Sequence, residues 1–279
     1  MGSAIAARLA GVGHEIMVWN RSRDKAQATG FRVAESPAAL AQASEALISI
    51  LSDAAAVESV FARMLEGDVK GKLFIEMSTV RPGVTQRLST RVRGKGAAFV
   101  ECPVGGTIGP AKEGKLFGFV GGEAGDVGRA RPLLEQMCRR AEHLGPAGAG
   151  ASMKLAINLP LIVYWQALGE AISLVKDLGL DPQRLMDILA DTSGAPSMMK
   201  NRAPAVAAAL AGKDNPVTVN IDTLKKDLGE MVAEAHARGF SAPVTERVLE
   251  CFDRASRAGL GGRDCTALPV SWGLKPQKV

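Results

Sequence analysis

The sequence has few of the residues that build metal or disulfide sites: it contains four cysteines and three histidines in 279 residues. The cysteines, at positions 102, 138, 251 and 265, are far apart and show neither CxxC nor Cys/His spacing, so neither a zinc site nor a disulfide scaffold is indicated. The histidines lie in different segments, and no Ser-His-Asp order is evident. We therefore expect no metal site and a reduced, cytoplasmic protein.

The sequence also lacks long apolar runs and clusters of one charge. Its longest uncharged apolar run, residues 155–169, is shorter than the roughly 18 to 20 residues that a membrane span needs, and it contains Asn158, Pro160 and Gln166. Arg8 interrupts the first apolar stretch, so no signal peptide is expected. The net charge is +5, but Lys and Arg are interleaved with Asp and Glu throughout. We expect neither a membrane nor a nucleic acid as partner.

What is present is the composition of an ordinary globular protein, 47% hydrophobic and 23% charged, in a chain long enough for two domains. Short apolar runs alternate with helical patterns, and Ser22, Ser36 and Asp53 are predicted to cap helices. The alternation predicts a mainly parallel, doubly wound Rossmann-type sheet. The predicted strands are residues 16–19, 32–34, 46–51 (buried on both faces), 73–77, 98–100 and 117–120. A glycine-rich loop over 105–114 separates the last two strands, and a helix over 126–140 follows the last one.

The character of the sequence changes after Gly150. One long apolar helix is predicted over 154–177, and further helices are predicted near 182–191, 221–237 and 243–257. We therefore predict an α/β domain over residues 1–147 and an all-helical domain over residues 148–279.

The chain opens with Met1-Gly2-Ser3 and a helix, which has the pattern of the end of a GxGxxG turn with Gly2 as its last glycine. The first strand and two earlier glycines of that motif would then lie before Met1. In a sheet of order 3-2-1-4-5-6 the first strand is central, so we expect the first strand of this sheet to be missing. The alternative is an arbitrary chain start.

Asn20-Arg21-Ser22 ends the first predicted strand, where an Asp or Glu binds the ribose 2′-hydroxyl in NAD-binding sheets. No carboxylate is present there. An arginine at this position can pair with the 2′-phosphate of NADP, so NADP is the predicted cofactor, with NAD also possible. The alternative is a solvated polar turn.

Four blocks give the chain a resemblance to the β-hydroxyacid dehydrogenase family, which includes 3-hydroxyisobutyrate dehydrogenase and semialdehyde reductases. They are MGS at 1–3 with NRS at 20–22, EMSTV at 76–80, ECPVGG at 101–106 with GKL at 114–116, and GAG at 148–150 with Lys154 and Asn158. The resemblance implies a nucleotide-binding first domain and a helical second domain for substrate binding and dimerisation. It also implies a small carboxylate substrate and a homodimer or homotetramer.

The resemblance implies a role for particular residues. Lys154 would donate and accept the proton at the substrate oxygen, as general acid and base. For several of these positions a purely structural explanation stays open. Strand ends and helix caps are often Ser, Thr or Asp for backbone reasons, and an isolated lysine in an apolar helix usually extends to solvent. The implied substrate-binding residues are Gly105, Gly106, Thr107 and Asn158, and the implied cofactor-binding residues are Gly2, Asn20, Arg21, Ser22, Leu51, Ser52, Val57, Thr79 and Lys226.

The predicted function is therefore an NADP-preferring oxidoreductase that interconverts a small β-hydroxy acid and its semialdehyde. Many relatives have a serine where this chain has Gly105, which leaves the substrate open. One alternative is an imine reductase of the same fold, although such relatives usually replace the lysine at position 154 with Asp or Tyr. A second is a non-catalytic binding or scaffold protein whose nucleotide site has decayed.

Overall fold

A computed structural model describes residues 1–274 of the chain. These residues form two compact units, Met1–Leu155 and a second unit that begins at Ala156. The first unit is α/β and the second is helical, and helix α8 (Ala149–Val175) continues from one into the other.

The first unit alternates helices and strands. In chain order its elements are α1 (Gly2–Gly11), β1 (Met17–Val18), α2 (Arg23–Gln27), β2 (Arg32–Val33), α3 (Pro37–Ala43), β3 (Ala46–Ser49), α4 (Ala54–Met64), β4 (Leu73–Glu76), α5 (Pro82–Gly94), β5 (Ala98–Glu101), β6 (Val104–Gly105), α6 (Ile108–Glu113), β7 (Leu116–Gly122), α7 (Ala124–Met137) and β8 (Cys138–Gly145).

The strands of this unit form two separate sheets. β1 and β2 pair with each other in parallel. In the larger sheet β3, β4 and β5 are parallel neighbours, β7 pairs antiparallel with β5 and β6, and β8 pairs parallel with β7. The mainly parallel α/β fold is confirmed.

Both faces of the larger sheet are covered by helices, as a parallel sheet requires. In β4, Leu73 and Ile75 pack in one hydrophobic cluster together with residues of α1 and α7. Phe74, which points to the opposite face, packs in a second cluster with residues of α4 and α5. β4 and β5 are completely buried, whereas in β3 Ala46 and Ile48 are only half-buried. The prediction that β3 is buried on both faces was therefore wrong, because β3 is an edge strand of the larger sheet.

The second unit consists, in its described part, of helices joined by loops, with one isolated β-bridge between Asn220 and Asp264. After α8 and a short 3-10 turn (Lys176–Leu178), it contains α9 (Pro182–Ala190), α10 (Met199–Leu210), α11 (Ile221–Ala237), α12 (Pro243–Ala255), a π-helical turn (Ser256–Leu260) and α13 (Ala267–Leu274).

Local signals predicted most element starts and missed others. The caps are confirmed at Ser36 and Asp53, whose side chains accept the N–H groups of Ala39 and Ala56. The side chain of Ser22 accepts no helix N–H, so the predicted cap there was wrong. The predicted helix over 126–140 ends at Met137, where β8 begins, and the predicted glycine-rich loop contains α6. Helices α10 and α13 were not predicted.

Two global expectations can be compared with the described residues. All four cysteines are free thiols and buried, and within residues 1–274 no three His, Cys, Asp or Glu side chains are grouped so as to hold a metal ion. The stretch of residues 149–178 is long and apolar enough to cross a membrane by length and composition alone, a test that core helices of soluble proteins also pass.

Candidate active site

A hydrogen-bonded network connects the carboxyl ends of β3 and β4. The Ser49 hydroxyl at the end of β3 donates to the Glu76 carboxylate at the end of β4. The second Glu76 oxygen accepts the Ser78 N–H at 2.7 Å. The Ser78 hydroxyl in turn accepts the Leu51 N–H at 2.8 Å. The loops after these two strands, which carry predicted cofactor residues, are thus held together by buried polar groups.

Glu76 and Glu101 are buried carboxyl groups on neighbouring strands. They lie opposite each other in the β4–β5 register, and neither has exposed surface. Burial raises the pKa of Glu76 to about 7; the Glu101 charge adds to the shift, and the hydrogen bonds from Ser49 and Ser78 oppose it. Burial also raises the pKa of Glu101. Fully buried acidic residues are rare unless they are paired or hydrogen-bonded, so each of these needs its partners.

The partners of Glu101 are at the start of α8. Its Oε1 accepts the N–H groups of Gly148 and Gly150, each at 2.7 Å, and that of Ala151 at 3.3 Å. The first N–H groups of a helix have no partner within the helix. The Glu101 carboxylate therefore caps α8 from a different part of the chain.

Phe119, in β7, connects the predicted substrate loop with the same helix. Its N–H donates to the Pro103 carbonyl at 3.0 Å. Its ring lies 3.7 Å from the position that a Cβ on Gly105 would take, and a Cβ on Gly150 would overlap its carbonyl oxygen. The loop over 103–107 and the first turn of α8 are therefore both packed against one strand.

The substrate loop itself contains one position that requires glycine. Gly106 has a φ of +124°, a conformation that other residues rarely adopt, and a Cβ there would lie 2.9 Å from a Leu116 methyl group. At Gly105 an added Cβ would make only ordinary contacts. Thr107 precedes α6 and is exposed. The loop thus presents main-chain groups and one hydroxyl at the surface of the first unit.

Lys154 lies in α8, one helical turn after Gly150, and is half-buried. Asn158 follows four residues later on the same helical face and is buried. In the second unit the Asn158 amide donates to Asp227 Oδ2 at 3.5 Å, and the Lys226 ammonium lies 2.6 Å from Asp227 Oδ1. Asp227, itself buried, therefore connects two of the predicted site residues.

The predicted cofactor residues of the first unit lie at helix starts and strand ends. Gly2 is the first residue of α1, whose N-terminus has no side-chain cap, and a Cβ on Gly2 would lie 3.2 Å from the Ile50 side chain after β3. Ser52 is exposed and its hydroxyl donates to Asp53. Thr79 is half-buried in the loop after β4.

Two predicted cofactor segments differ in exposure. Asn20, Arg21 and Ser22 are exposed in the loop after β1, and the Asn20 side chain accepts the Ser22 N–H at 2.9 Å. Val57 has no exposed surface and packs in the core beside Phe61 of α4. Packing alone accounts for the apolar residue at position 57.

The sequence interpretation overlooked Glu76, Glu101 and Asp227 as organising residues. Glu76 and Glu101 begin two of the recognised blocks at the ends of apolar strands, and Asp227 directly follows Lys226, a predicted cofactor residue, in α11. A charged residue at the end of a strand that is buried on both faces is itself a signal, because such a charge must find partners.

Two family models match the chain, and the boundary between the two matches lies where the structure changes from α/β to helical. Residues 1–145 match the family described as the NAD binding domain of 6-phosphogluconate dehydrogenase. Residues 148–270 match the family described as the NAD-binding domain of NADP-dependent 3-hydroxyisobutyrate dehydrogenase. With the strand-end site described above, these matches define an NAD(P)-dependent oxidoreductase acting on hydroxyl groups.

Individual relatives show which members of this class the chain is similar to. Glyoxylate/succinic semialdehyde reductase 1 of Arabidopsis thaliana is 31% identical over 274 residues, covering 96% of this chain and 93% of its own. The structure of Mycobacterium tuberculosis 3-hydroxyisobutyrate dehydrogenase with L-serine has a TM-score of 0.83 at 26% identity, and the match covers 97% of this chain and 95% of that one. A reductive aminase from Aspergillus terreus, in complex with NADPH and ethyl levulinate, has a TM-score of 0.64 at 25% identity, covering 96% and 94%. The chain belongs to the β-hydroxyacid dehydrogenase family.

Proposed function

We propose that the protein is an NADP-preferring reductase that interconverts a small β-hydroxy acid and its semialdehyde, with Lys154 as general acid and base. The observation that carries the proposal is the position of the half-buried Lys154. The first turn of its helix is hydrogen-bonded to Glu101 at the end of β5, and the loop over 103–107 follows directly after that strand. A positioned ammonium can protonate a carbonyl oxygen as it is reduced and can accept the proton back in the reverse reaction.

The residues at the carboxyl ends of the strands fit a dinucleotide. Such ligands bind outside the carboxyl ends of the strands in open α/β sheets, and pyrophosphate binds at helix N-termini. Gly2 begins α1 next to Ile50, where a side chain would crowd the approach. When bound, the nicotinamide would supply or accept the hydride.

The main-chain groups of residues 103–107 suit a small carboxylate, because consecutive glycines allow a ligand to approach backbone N–H groups closely. Asn158, oriented by Asp227, would bind the substrate oxygen or the amine of Lys154. Lys226, paired with Asp227, would add positive charge for the carboxylate or the cofactor.

The preference for NADP rests on Arg21. Its side chain is exposed in the loop after β1, and Arg23 and Lys25 follow in the next helix. Arginine pairs with phosphate through two parallel N–H···O bonds, a geometry that the ribose hydroxyl of NAD does not offer.

The proposal is tested by measuring turnover of purified protein with NADPH and with NADH. The substrates are glyoxylate, succinic semialdehyde, methylmalonate semialdehyde and tartronate semialdehyde, and a cyclic imine tests the imine-reductase alternative. Turnover of at least one semialdehyde or of glyoxylate, faster with NADPH and faster than that of the imine, is expected. Imine reduction alone would support the alternative, and cofactor binding without turnover of any of these would leave only a binding function.

We also propose self-association through the second unit. Large apolar side chains are exposed there: Leu174 is 88% exposed and Leu178 66%. Only 44% of the most apolar part of the 149–178 stretch is buried. A second copy of the chain would cover this surface and remove it from water. Light scattering after size exclusion should show a dimer or tetramer, and Leu174→Glu should shift it toward the monomer.

A further inference from the structure

The carboxylate of Glu101 makes an unusual cap. Helix N-termini are usually capped by a Ser, Thr, Asp or Asn directly before the helix. Here the acceptor comes from the end of β5, 47 residues before Gly148 in the chain, and it binds three N–H groups with one oxygen. The contact fixes a helix to a strand instead of only ending a helix.

Two glycines make the contact possible. A Cβ on Gly121 of β7 would overlap Glu101 Oε1, and a Cβ on Gly150 would overlap the Phe119 carbonyl oxygen. The backbones of β7 and α8 therefore approach each other closely beside the Glu101 carboxylate. This packing leaves little freedom for α8 to rotate or shift along its axis.

The same strand end carries the glycine loop. Glu101 is the last residue of β5, and the loop over 103–107 begins two residues later. Lys154 is four residues after Gly150, so both lie on one face of the helix. A shift of the first turn of α8 would move the Lys154 Cα by the same amount relative to that loop.

We propose that Glu101 is a positioning residue that sets the place of the Lys154 ammonium relative to the loop over 103–107. This inference rests on the proposed acid–base function of Lys154. Catalysis depends steeply on such placement, since a misplacement of about 1 Å can cost about 100-fold in rate.

The test compares Glu101→Gln with Asp181→Asn. The amide of Gln keeps one acceptor oxygen but removes the negative charge. Asp181 is a matched control because it also caps a helix, α9, by accepting the N–H groups of Gln183 and Arg184, and it is not a predicted site residue. Glu101→Gln should lower kcat about 10- to 100-fold with KM for NADPH changed less than twofold, and Asp181→Asn should change neither.

A double-mutant cycle with Lys154→Ala shows whether Glu101 acts through Lys154. If it does, Glu101→Gln should cost less than twofold in kcat when Lys154 is already replaced, because contributions that act as one unit are not additive. The same 10- to 100-fold loss in both backgrounds would overturn the proposal. So would kcat within twofold of wild type in the single Glu101→Gln variant.

Amide hydrogen exchange separates this inference from the proposed function. Exchange at Gly150 and Ala151 should be at least 10-fold faster in Glu101→Gln than in wild type, whatever the reaction, and unchanged exchange would refute the contact itself. Wild-type turnover in Lys154→Ala would refute the acid–base function and the positioning function with it, while leaving the exchange result intact. If Glu101→Gln does not fold, Glu101→Asp, which keeps the charge but is one methylene shorter, should give the same loss of kcat.

Discussion

The buried carboxyl of Glu76 makes a quantitative prediction about stability and pH. In the unfolded chain this group titrates near 4.5, and in the folded protein burial raises its pKa to about 7. The folded state therefore holds the proton more tightly than the unfolded state. The stability associated with the neutral carboxyl is fully present below about pH 4.5 and is lost as the pH rises to about 7.

The size of the effect follows from the shift. Each pKa unit corresponds to about 1.4 kcal/mol, so the shift at Glu76 corresponds to a loss of about 3 kcal/mol in the free energy of unfolding. Because the side chain is completely buried, solvent does not screen this cost. That is a large fraction of the roughly 5–15 kcal/mol by which native proteins are stable.

The perturbation is Glu76→Gln, which keeps the shape and an oxygen for the Ser78 N–H, while the Ser49 hydroxyl can turn to accept from the new amide. Near pH 4.5 the variant and the wild type should have similar stability. Near pH 7.5 the variant should be more stable by about 3 kcal/mol, since it carries no buried charge.

The assay is urea unfolding followed by circular dichroism at half-unit steps from pH 4.5 to 8. Glu113→Gln is the control, because the Glu113 side chain is exposed and lies outside the core. Its difference from wild type should not change across this range. A difference between wild type and Glu76→Gln that is constant with pH, or that favours the wild type as pH rises, would refute the reasoning.

Three further predictions concern the site. Lys154→Ala should lower kcat by about 10²- to 10⁴-fold with little change in NADPH affinity. The control Lys176→Ala should have no effect, because Lys176 is an exposed lysine directly after the same helix. Near-normal turnover in Lys154→Ala would exclude Lys154 from the mechanism. Arg21→Ala should raise the Kd of NADPH much more than that of NADH in fluorescence titrations, and equal losses would show that Arg21 does not bind the 2′-phosphate. Gly105→Ser should fold as wild type and change the substrate preference in the turnover screen. Gly106→Ala should lower Tm and activity because residue 106 has a positive φ. A larger loss of Tm in Gly105→Ser than in Gly106→Ala would contradict the loop geometry.

The sequence predicted those elements that local chemistry determines. Ser36 before Pro37 and Asp53 before a run of alanines are caps that need no distant partner, and both were found. β8 was missed because Cys138-Arg139-Arg140 continues the composition of α7; its strand conformation comes from pairing with β7, a contact that the local sequence does not contain. Ser22 was assigned a side-chain cap because its residue type allows one, but the Lys25 N–H donates to the Ser22 main-chain carbonyl and the Ser22 side chain makes no cap bond.

The site shows the same division between local and distant information. The blocks around Thr79, Gly105 and Lys154 were selected through their resemblance to a known family, which a contiguous stretch of sequence is enough to reveal, and the roles of these residues stay predictions. The sequence does not show which acidic groups hold these blocks in place. The partners of Glu101 lie 47 to 50 residues away in the chain, and the Ser49 hydroxyl bonded to Glu76 lies 27 residues away. The acidic residues themselves were visible at the ends of buried strands. Desolvation requires that such carboxylates be paired, so their positions predict that partners exist, and only the fold identifies them as the start of α8 and the end of β3.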